Sequence, residues 1–309
     1  MKPTHQDTPP PGATVVWRFD DGRAGHAHQV SGLLDALRER VALDIHAFDV
    51  RAVRHPLMDF CLSRFSPGRA LPPPRLLVGA GHRTHWPLLA ARRSCGGRIV
   101  VLMKPSLPRC WFDLCVVPAH DGVRAAPATL ITDGVLTPIR PTSARDAGAG
   151  LVLLGGPSRH HAWDTADMVA RLATLLTRRA GVTRWRVLTS PRTPAAMVEA
   201  LTRDPRLKSF GFDPADRAAP AAAILHCGEI WVSEDSVSML YDALSSGART
   251  GLLPVPRRRS GRVSRNVDAL VARGRLAAPG TYVLSATGNA PLNEAARVAD
   301  WIEHRWLNV

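Results

Sequence analysis

Four short stretches of the 309-residue chain collect residues suited to anions and protons. In IWVSEDSVSMLYDALSSG (230–247), an apolar run ends in Ser233, Glu234, Asp235 and Ser236. Helical spacing then starts, with Val237, Leu240, Tyr241 and Leu244 on one face and Gly247 as the stop. A helix N-terminus presents unpaired N–H groups and about half a positive charge, which suits phosphate. Ser236 and Ser238 add hydroxyl donors, Glu234 adds a carboxylate, and Asp242, one turn further along, is spaced to take a ribose hydroxyl. Capping by Asp235 or Ser236 is the competing use, and it accounts for only part of the cluster. In GGPSRHH (155–161), Gly155 and Gly156 allow close backbone approach to a phosphate, and Ser158 and Arg159 suit oxyanions; a plain tight turn is the alternative. SPRTP (190–194) contributes Arg192. In DDGRAGHAHQ (20–29), Gly22 and Gly25 permit a tight turn, and His26 is placed to take a proton from a hydroxyl near neutral pH. His26 donating to a loop carbonyl is the competing use. Asp20, Asp21 and Asp121 are further carboxylate candidates for catalysis, and Asp121 or Glu234 could instead cap a turn.

Other chemistries fit less well. His82, His85, His120, His160 and His161 form no H-E-x-x-H or equivalent spacing, so no metal site is expected. No G-x-S-x-G elbow supports Ser-His-Asp hydrolysis. VGAGHRT (78–84) lacks the third glycine of a dinucleotide fingerprint, follows the third strand rather than the first, and has no acidic residue closing the next strand.

These stretches need elements to position them, and the pattern supplies them. Apolar runs at 13–19, 43–50, 75–81, 98–103 and 113–118 read as strands, with helices marked by Val30, Leu33, Leu34 and Leu37 and near 84–93. A Pro-, Gly- and Ala-rich segment over 136–150 reads as a linker. Alternation resumes with strands at 151–156, 185–190, near 207–212, 230–233 and 249–255. Helices are expected over 164–179, 195–203, 217–225, 263–273 and about 289–306. The expected fold is α/β, with two doubly wound Rossmann-like domains (13–135 and 151–288) facing across a cleft. Ligands of open parallel sheets bind beyond the carboxyl ends of the strands, which is where all the polar stretches fall.

Composition narrows the class. Hydrophobic residues make up 45%, typical of a globular protein, and no apolar run approaches bilayer-spanning length. Residues 1–12 have no apolar h-region and read as a disordered tail rather than a secretory signal. Five cysteines, an odd number without C-x-x-C, suit a reduced cytoplasm. The formal charge is +14 and the only lysines are Lys2, Lys104 and Lys208, so the basic charge is almost all Arg. That suits anionic ligands or the inner face of an anionic membrane, although GC-rich codon bias produces the same excess. Scarce aromatics (6%) and scattered arginines argue against nucleic acid. RRRSGR (257–262) reads as a solvated loop.

The motifs DGRAGHAHQ, GAGHRTHWPLLAARR, VLMKPSLPRCWFDLCVVPAHD, LLGGPSRHHAWD, TSPRTP and IWVSEDSVSMLYDALSSGARTGLLPV resemble the family of the plant "elongated mitochondria" fission factor, from about residue 14 to 305. That family is similar to GT-B glycosyltransferases, which implies a C-terminal helix over 289–309 returning towards the N-terminal domain. DGRAGHAHQ distantly resembles the glycine-rich His loop of the peptidoglycan N-acetylglucosaminyltransferase. SEDSVSMLYDALSSG resembles the sugar-nucleotide segment of that enzyme, of lipid-A-disaccharide synthase and of heptosyltransferases. The resemblance gives Asp242 the place of a ribose-binding acidic residue and His26 that of the loop histidine. The sequence departs from the pattern in having Asp rather than Glu at 242 and no doubled glycine at 21–22. The implied activity is metal-independent transfer from a nucleotide-sugar, as co-substrate with no other cofactor, to a lipid or glycan acceptor of the cell envelope. The N-terminal domain would serve the acceptor and the C-terminal domain the donor, and peripheral contact with anionic membrane would fit. The plant members, known as recruitment factors for a dynamin-related fission protein, imply the alternative of a non-catalytic scaffold.

Overall fold

A computed structural model of the chain describes residues 10, 12–214, 220–259, 261–284 and 291–307. It divides into two compact units, Met1–Pro138 with Glu294–Val309, and Ile139–Asn293.

The first unit runs β1 (Thr14–Asp20), α1 (Ala24–Arg38), β2 (Leu43–Asp49), α2 (Pro56–Cys61), β3 (Leu76–Ala80), α3 (His85–Cys95), β4 (Arg98–Leu102), β5 (Leu114–Pro118) and β6 (Thr129–Thr132). All strand pairs are parallel, in the order β2-β1-β3-β4-β5-β6. Successive side chains leave opposite faces of a strand, and here both faces are covered. Val16, Leu76, Val78 and Val100 join α1 in one core, while their neighbours Trp17, Leu77 and Val101 join Phe19, Phe48, Phe65 and Leu88 in another. This two-sided burial is why the strands read as unbroken apolar runs.

The second unit runs β7 (Asp146–Leu154), α4 (Thr165–Arg178), β8 (Arg184–Thr189), α5 (Ala195–Arg203), β9 (Phe210–Gly211), α6 (Pro220–His226), β10 (Cys227–Ser233), α7 (Val237–Ser246), β11 (Arg249–Leu253) and α8 (Arg262–Ala272). Its sheet, in the order β11-β10-β7-β8-β9, is also parallel throughout. Each sheet therefore has one switch point, where the chain reverses its direction of winding. It lies between β1 and β3 in the first unit and between β7 and β10 in the second.

The final helix, α9 (Glu294–Ile302), belongs to the first unit. Val298, Ala299, Ile302 and Trp306 are buried with Leu33 and Leu37 of α1 in the first core. Arg75 donates to the Trp306 carbonyl at 2.5 Å and fastens the end of the chain beneath β3.

Several expectations need correction. The expected linker over 136–150 is strand from Asp146, because Gly148 and Gly150 lie in β7 where Trp185 of β8 and Thr183 fill the space beside them. Leu136 and Ile139 are buried, so the start of that segment is packed rather than free. β10 begins at Cys227, three residues before the expected strand. Its charged Glu229 is fully buried because Arg179 grips both carboxylate oxygens at 2.8 and 2.6 Å and Trp231 Nε1 donates at 2.8 Å. The last helix starts at Glu294 rather than 289. The short α2 and β6 carry too little periodicity to be read from sequence. Of the expected tail, residues 1–9 and 11 lie outside the described residues, as does part of the helix expected over 217–225.

Removing most of a fully buried aliphatic side chain costs about 2–5 kcal/mol. Ile302→Ala is therefore expected to lower the urea midpoint of the first unit by that amount of stability. An unchanged midpoint would mean that α9 is not part of that core.

Candidate functional site

Both switch points hold a buried carboxylate. In the first unit it is Asp21, in the turn between β1 and α1, with its side chain fully buried. Asp21 Oδ1 accepts from the Arg23 backbone N–H at 3.2 Å, and Oδ2 lies 3.0 Å from His26 Nδ1 in the first turn of α1. An ionised carboxylate only accepts, so the pair fixes the proton on Nδ1 and leaves Nε2 as the free base. The His26 side chain keeps 15% exposure, enough to meet a ligand. Gly81, after β3, has φ +86°, and a Cβ there would lie 2.5 Å from His26 Nδ1. The imidazole therefore rests on bare backbone across the switch point, so a glycine outside the expected set is part of the arrangement.

The remaining first-unit candidates are placed differently. Gly22, at φ +78°, makes the expected turn. Gly25 does not: it sits inside the first turn of α1 with open space around it, and its carbonyl accepts from Gln29 Nε2 at 3.3 Å. Asp121 follows β5, its side chain almost fully buried, and accepts weakly from the Lys104 N–H at 3.4 Å. β5 is three strands from β1, and three spacings of ~4.8 Å put the two strand ends roughly 14 Å apart. Asp121 therefore ties the β4 and β5 loops, three strands along the sheet from the Asp21–His26 pair. His85, buried at the start of α3, meets Ser106 Oγ at 3.2 Å; burial, with help from His82, pushes its pKa down to about 4.

In the second unit the central carboxylate is Asp235, just after β10. Its Oδ2 accepts from the Gly156 N–H at 2.9 Å and pairs with Arg192 at 2.8 Å. Arg192 also donates to the Gly156 carbonyl at 2.6 Å, and the Gly155 N–H donates to Ser233 Oγ at 2.7 Å. The loops after β7, β8 and β10 are thus knitted together. This corrects the expected phosphate roles of Gly155 and Gly156, whose N–H donors are used within the protein, while Arg192, 41% exposed, engages Asp235 and the loop carbonyls through its two terminal nitrogens. Ser158 Oγ accepts from the His160 and His161 N–H groups at 3.1 Å, contacts that fix the oxygen without using its own O–H donor. Glu234 accepts from Arg257 Nε at 2.5 Å, and Arg257 reaches on to Asp268 at 2.8 Å. Arg257 is therefore a tether within a segment whose described arginines, Arg257 to Arg259, are exposed as expected. Burial alone would raise the Glu234 carboxyl; Arg257, with the His161 ring 3.9 Å away, holds it below the usual range.

The start of α7 is open to a ligand as well. Ser236 occupies the N-cap position of α7 without making a side-chain cap, and Asp235 is turned away to Gly156. The first amides of α7 thus lack the side-chain acceptor that either residue was expected to provide. Arg159 is exposed, touching only the His160 ring at 2.9 Å, and Ser238 is half-buried in the first turn of α7. Asp242 lies one turn below Ser238, buried and already partnered. Two buried groups missed in the sequence also face this region: Asp235 Oδ1 and both ring nitrogens of His161 have no hydrogen-bond partner among the described residues. The signal for Asp235 was present in SEDS, where it was assigned to capping; nothing in the spacing distinguished His161 from His160. No three His, Cys, Asp or Glu side chains among the described residues gather as a metal site would require.

A family model described as "Mitochondrial fission ELM1" matches residues 24–306. The chain belongs to that family. No curated protein matches it in sequence. Among solved structures, it is similar to a putative UDP-N-acetylglucosamine 2-epimerase from Listeria monocytogenes (TM-score 0.55, 13% identity, covering 95% of this chain and 89% of that one). MurG from Acinetobacter baumannii matches at TM-score 0.54 and 13% identity, over 94% and 99% of the two chains. MnaA from S. aureus, solved with UDP, matches at 0.51 and 10%, over 94% and 87%. At these identities the likeness establishes the fold: two parallel-sheet α/β domains of the GT-B type.

A histidine held neutral by burial loses native stability as pH falls from its unfolded value towards its folded one, because the unfolded chain binds the proton first. For His85 that window runs from about 6.5 down to about 4. His85→Gln, which keeps a partner for Ser106, is expected to flatten the acid limb of a urea-midpoint-versus-pH plot relative to wild type. Parallel curves through that window would count against a neutral buried His85.

Proposed function

We propose that this protein is a glycosyltransferase that moves a sugar from a nucleotide-sugar to a hydroxyl of a lipid or glycan acceptor of the cell envelope, working at the membrane surface. The observation that carries the proposal is the His26–Asp21 pair at the switch point of the first sheet. His26 Nε2 takes the acceptor's hydroxyl proton while Asp21 stabilises the imidazolium that forms. The acceptor oxygen attacks the anomeric carbon, and the bond from that carbon to the diphosphate oxygen breaks. The nucleoside diphosphate leaves with the electron pair, and its developing charge is met by the α7 amides, Ser238 and Arg159. Asp242 takes a donor hydroxyl. Structures of the same fold that carry UDP or UDP-sugar names support this donor class.

The second reading is a non-catalytic scaffold on the same fold. It is favoured by one observation: the Gly155 and Gly156 N–H groups are satisfied internally, so part of the expected cradle is closed to phosphate.

Calorimetric titration with UDP-, GDP-, ADP- and CMP-sugars separates the two. The transferase reading expects one of them to bind, and His26→Ala to keep that affinity while lowering turnover by about 10²–10⁴-fold. Binding by none of them, together with a cellular phenotype untouched by combined His26→Ala and Asp242→Ala, would establish the scaffold instead.

A further inference from the structure

Four of the five large hydrophobic side chains exposed among the described residues lie in one part of the first unit: Leu57 (51%), Met58 (49%), Leu62 (52%) and Trp111 (38%). Leu57, Met58, Cys61 and Leu62 follow i, i+1, i+4, i+5 spacing and share the outward face of α2 and its C-cap. The inward residue, Phe60, packs on Trp86 of α3 at 5.5 Å, and Trp86 packs on Trp111 at 5.9 Å. An aromatic ladder thus joins the α2 face to the turn that carries Trp111. Isolated exposed apolar residues need no explanation, but a grouped set with a rigid aromatic support does.

The charge around the set is one-sided. Arg54, Arg64 and Arg93, the last 5.1 Å from the Phe60 ring centroid, lie at the set, against Asp59 as the one carboxylate of α2. Arg54 and Arg64, at the two ends of α2, are exposed and have no carboxylate partner among the described residues. A short helix with Leu and Met outward, a nearby Trp and flanking arginines matches the composition of interfacial membrane segments. A second copy of the chain is a poor occupant, because a two-fold interface through this face would bring Arg against Arg.

We propose that the outward face of α2, with Trp111, docks on the surface of an anionic lipid bilayer. Leu57, Met58 and Leu62 enter the headgroup–acyl boundary, and Arg54 and Arg64 meet lipid phosphates. The assignment rests on the membrane-surface part of the reading above, and it can be tested without any sugar nucleotide, so failure of transfer and failure of docking read out separately.

The test is co-sedimentation of the full chain with vesicles of phosphatidylcholine alone or with phosphatidylglycerol added. The wild type is expected to sediment with the anionic vesicles and to be released by salt. Leu57→Gln with Leu62→Gln is expected to weaken that binding by at least about tenfold, since each leucine forfeits part of its burial energy. Arg54→Gln with Arg64→Gln should remove much of the salt-dependent part, with both double variants keeping the wild-type circular dichroism. No binding to anionic vesicles would overturn the proposal, as would equal binding by the leucine variant. Concentration-dependent self-association abolished by the leucine pair, or capture of an acidic protein in place of vesicles, would also overturn it.

Discussion

The second unit is organised by one buried carboxylate. Asp235 lies where the sheet reverses its winding, and its Oδ2 binds the Gly156 N–H and the Arg192 guanidinium together. Gly155 has to be glycine because a Cβ there would fall 2.7 Å from the Asp235 carboxyl carbon. Arg192 reaches this carboxylate from the surface: its side chain keeps 41% exposure while the carboxylate it neutralises has no solvent. Removing one partner from a buried ion pair typically costs about 3–5 kcal/mol, since the other charge is left uncompensated. The three strand-end loops are therefore fixed relative to one another by electrostatics more than by apolar packing.

The first unit uses the same device for a different end. Asp21 is equally buried at its switch point, but its partner is an imidazole rather than a guanidinium. A guanidinium never gives up its proton, whereas an imidazole bound through Nδ1 presents a free base at Nε2. The chemical difference between the two switch points comes down to which residue type meets the aspartate. Asp21–His26 has proton-transfer capacity, while Asp235–Arg192 provides shape.

Strand-end polar clusters and two-sided apolar strands were legible in the sequence because both follow directly from parallel topology. Val16 and Trp17, adjacent and both buried, could only come from a sheet covered on both faces. Elements whose character depends on distant partners were not legible. Glu229 looks like the end of a strand until Arg179, brought in from the end of α4, joins Trp231 of the same strand in satisfying it. In the site, His26 was identified by its position at a helix start. Its fixed tautomer was not, because that depends on Asp21 turning inward and on Gly81 yielding space from another strand. The glycines of GGPSRHH led to the wrong assignment for a related reason: close backbone approach was correctly inferred, but what approaches is the protein's own Asp235 rather than a phosphate.

That substitution constrains how an anionic ligand could be held. A diphosphate that drew Arg192 away from Asp235 would leave that carboxylate buried with one fewer partner, and its Oδ1 already has none among the described residues. Breaking a buried ion pair costs about 3–5 kcal/mol, more than the roughly 1.5–3 kcal/mol of one charged hydrogen bond. Arg192 can therefore meet an anion only through the exposed part of its guanidinium, with the Asp235 contact kept. The groups that can turn to a ligand without that cost are the α7 amides, which have no side-chain cap, and the exposed Arg159. Anion recognition in this unit then centres on the start of α7 and the exposed arginines, with Asp235 serving to keep the neighbouring loops in place.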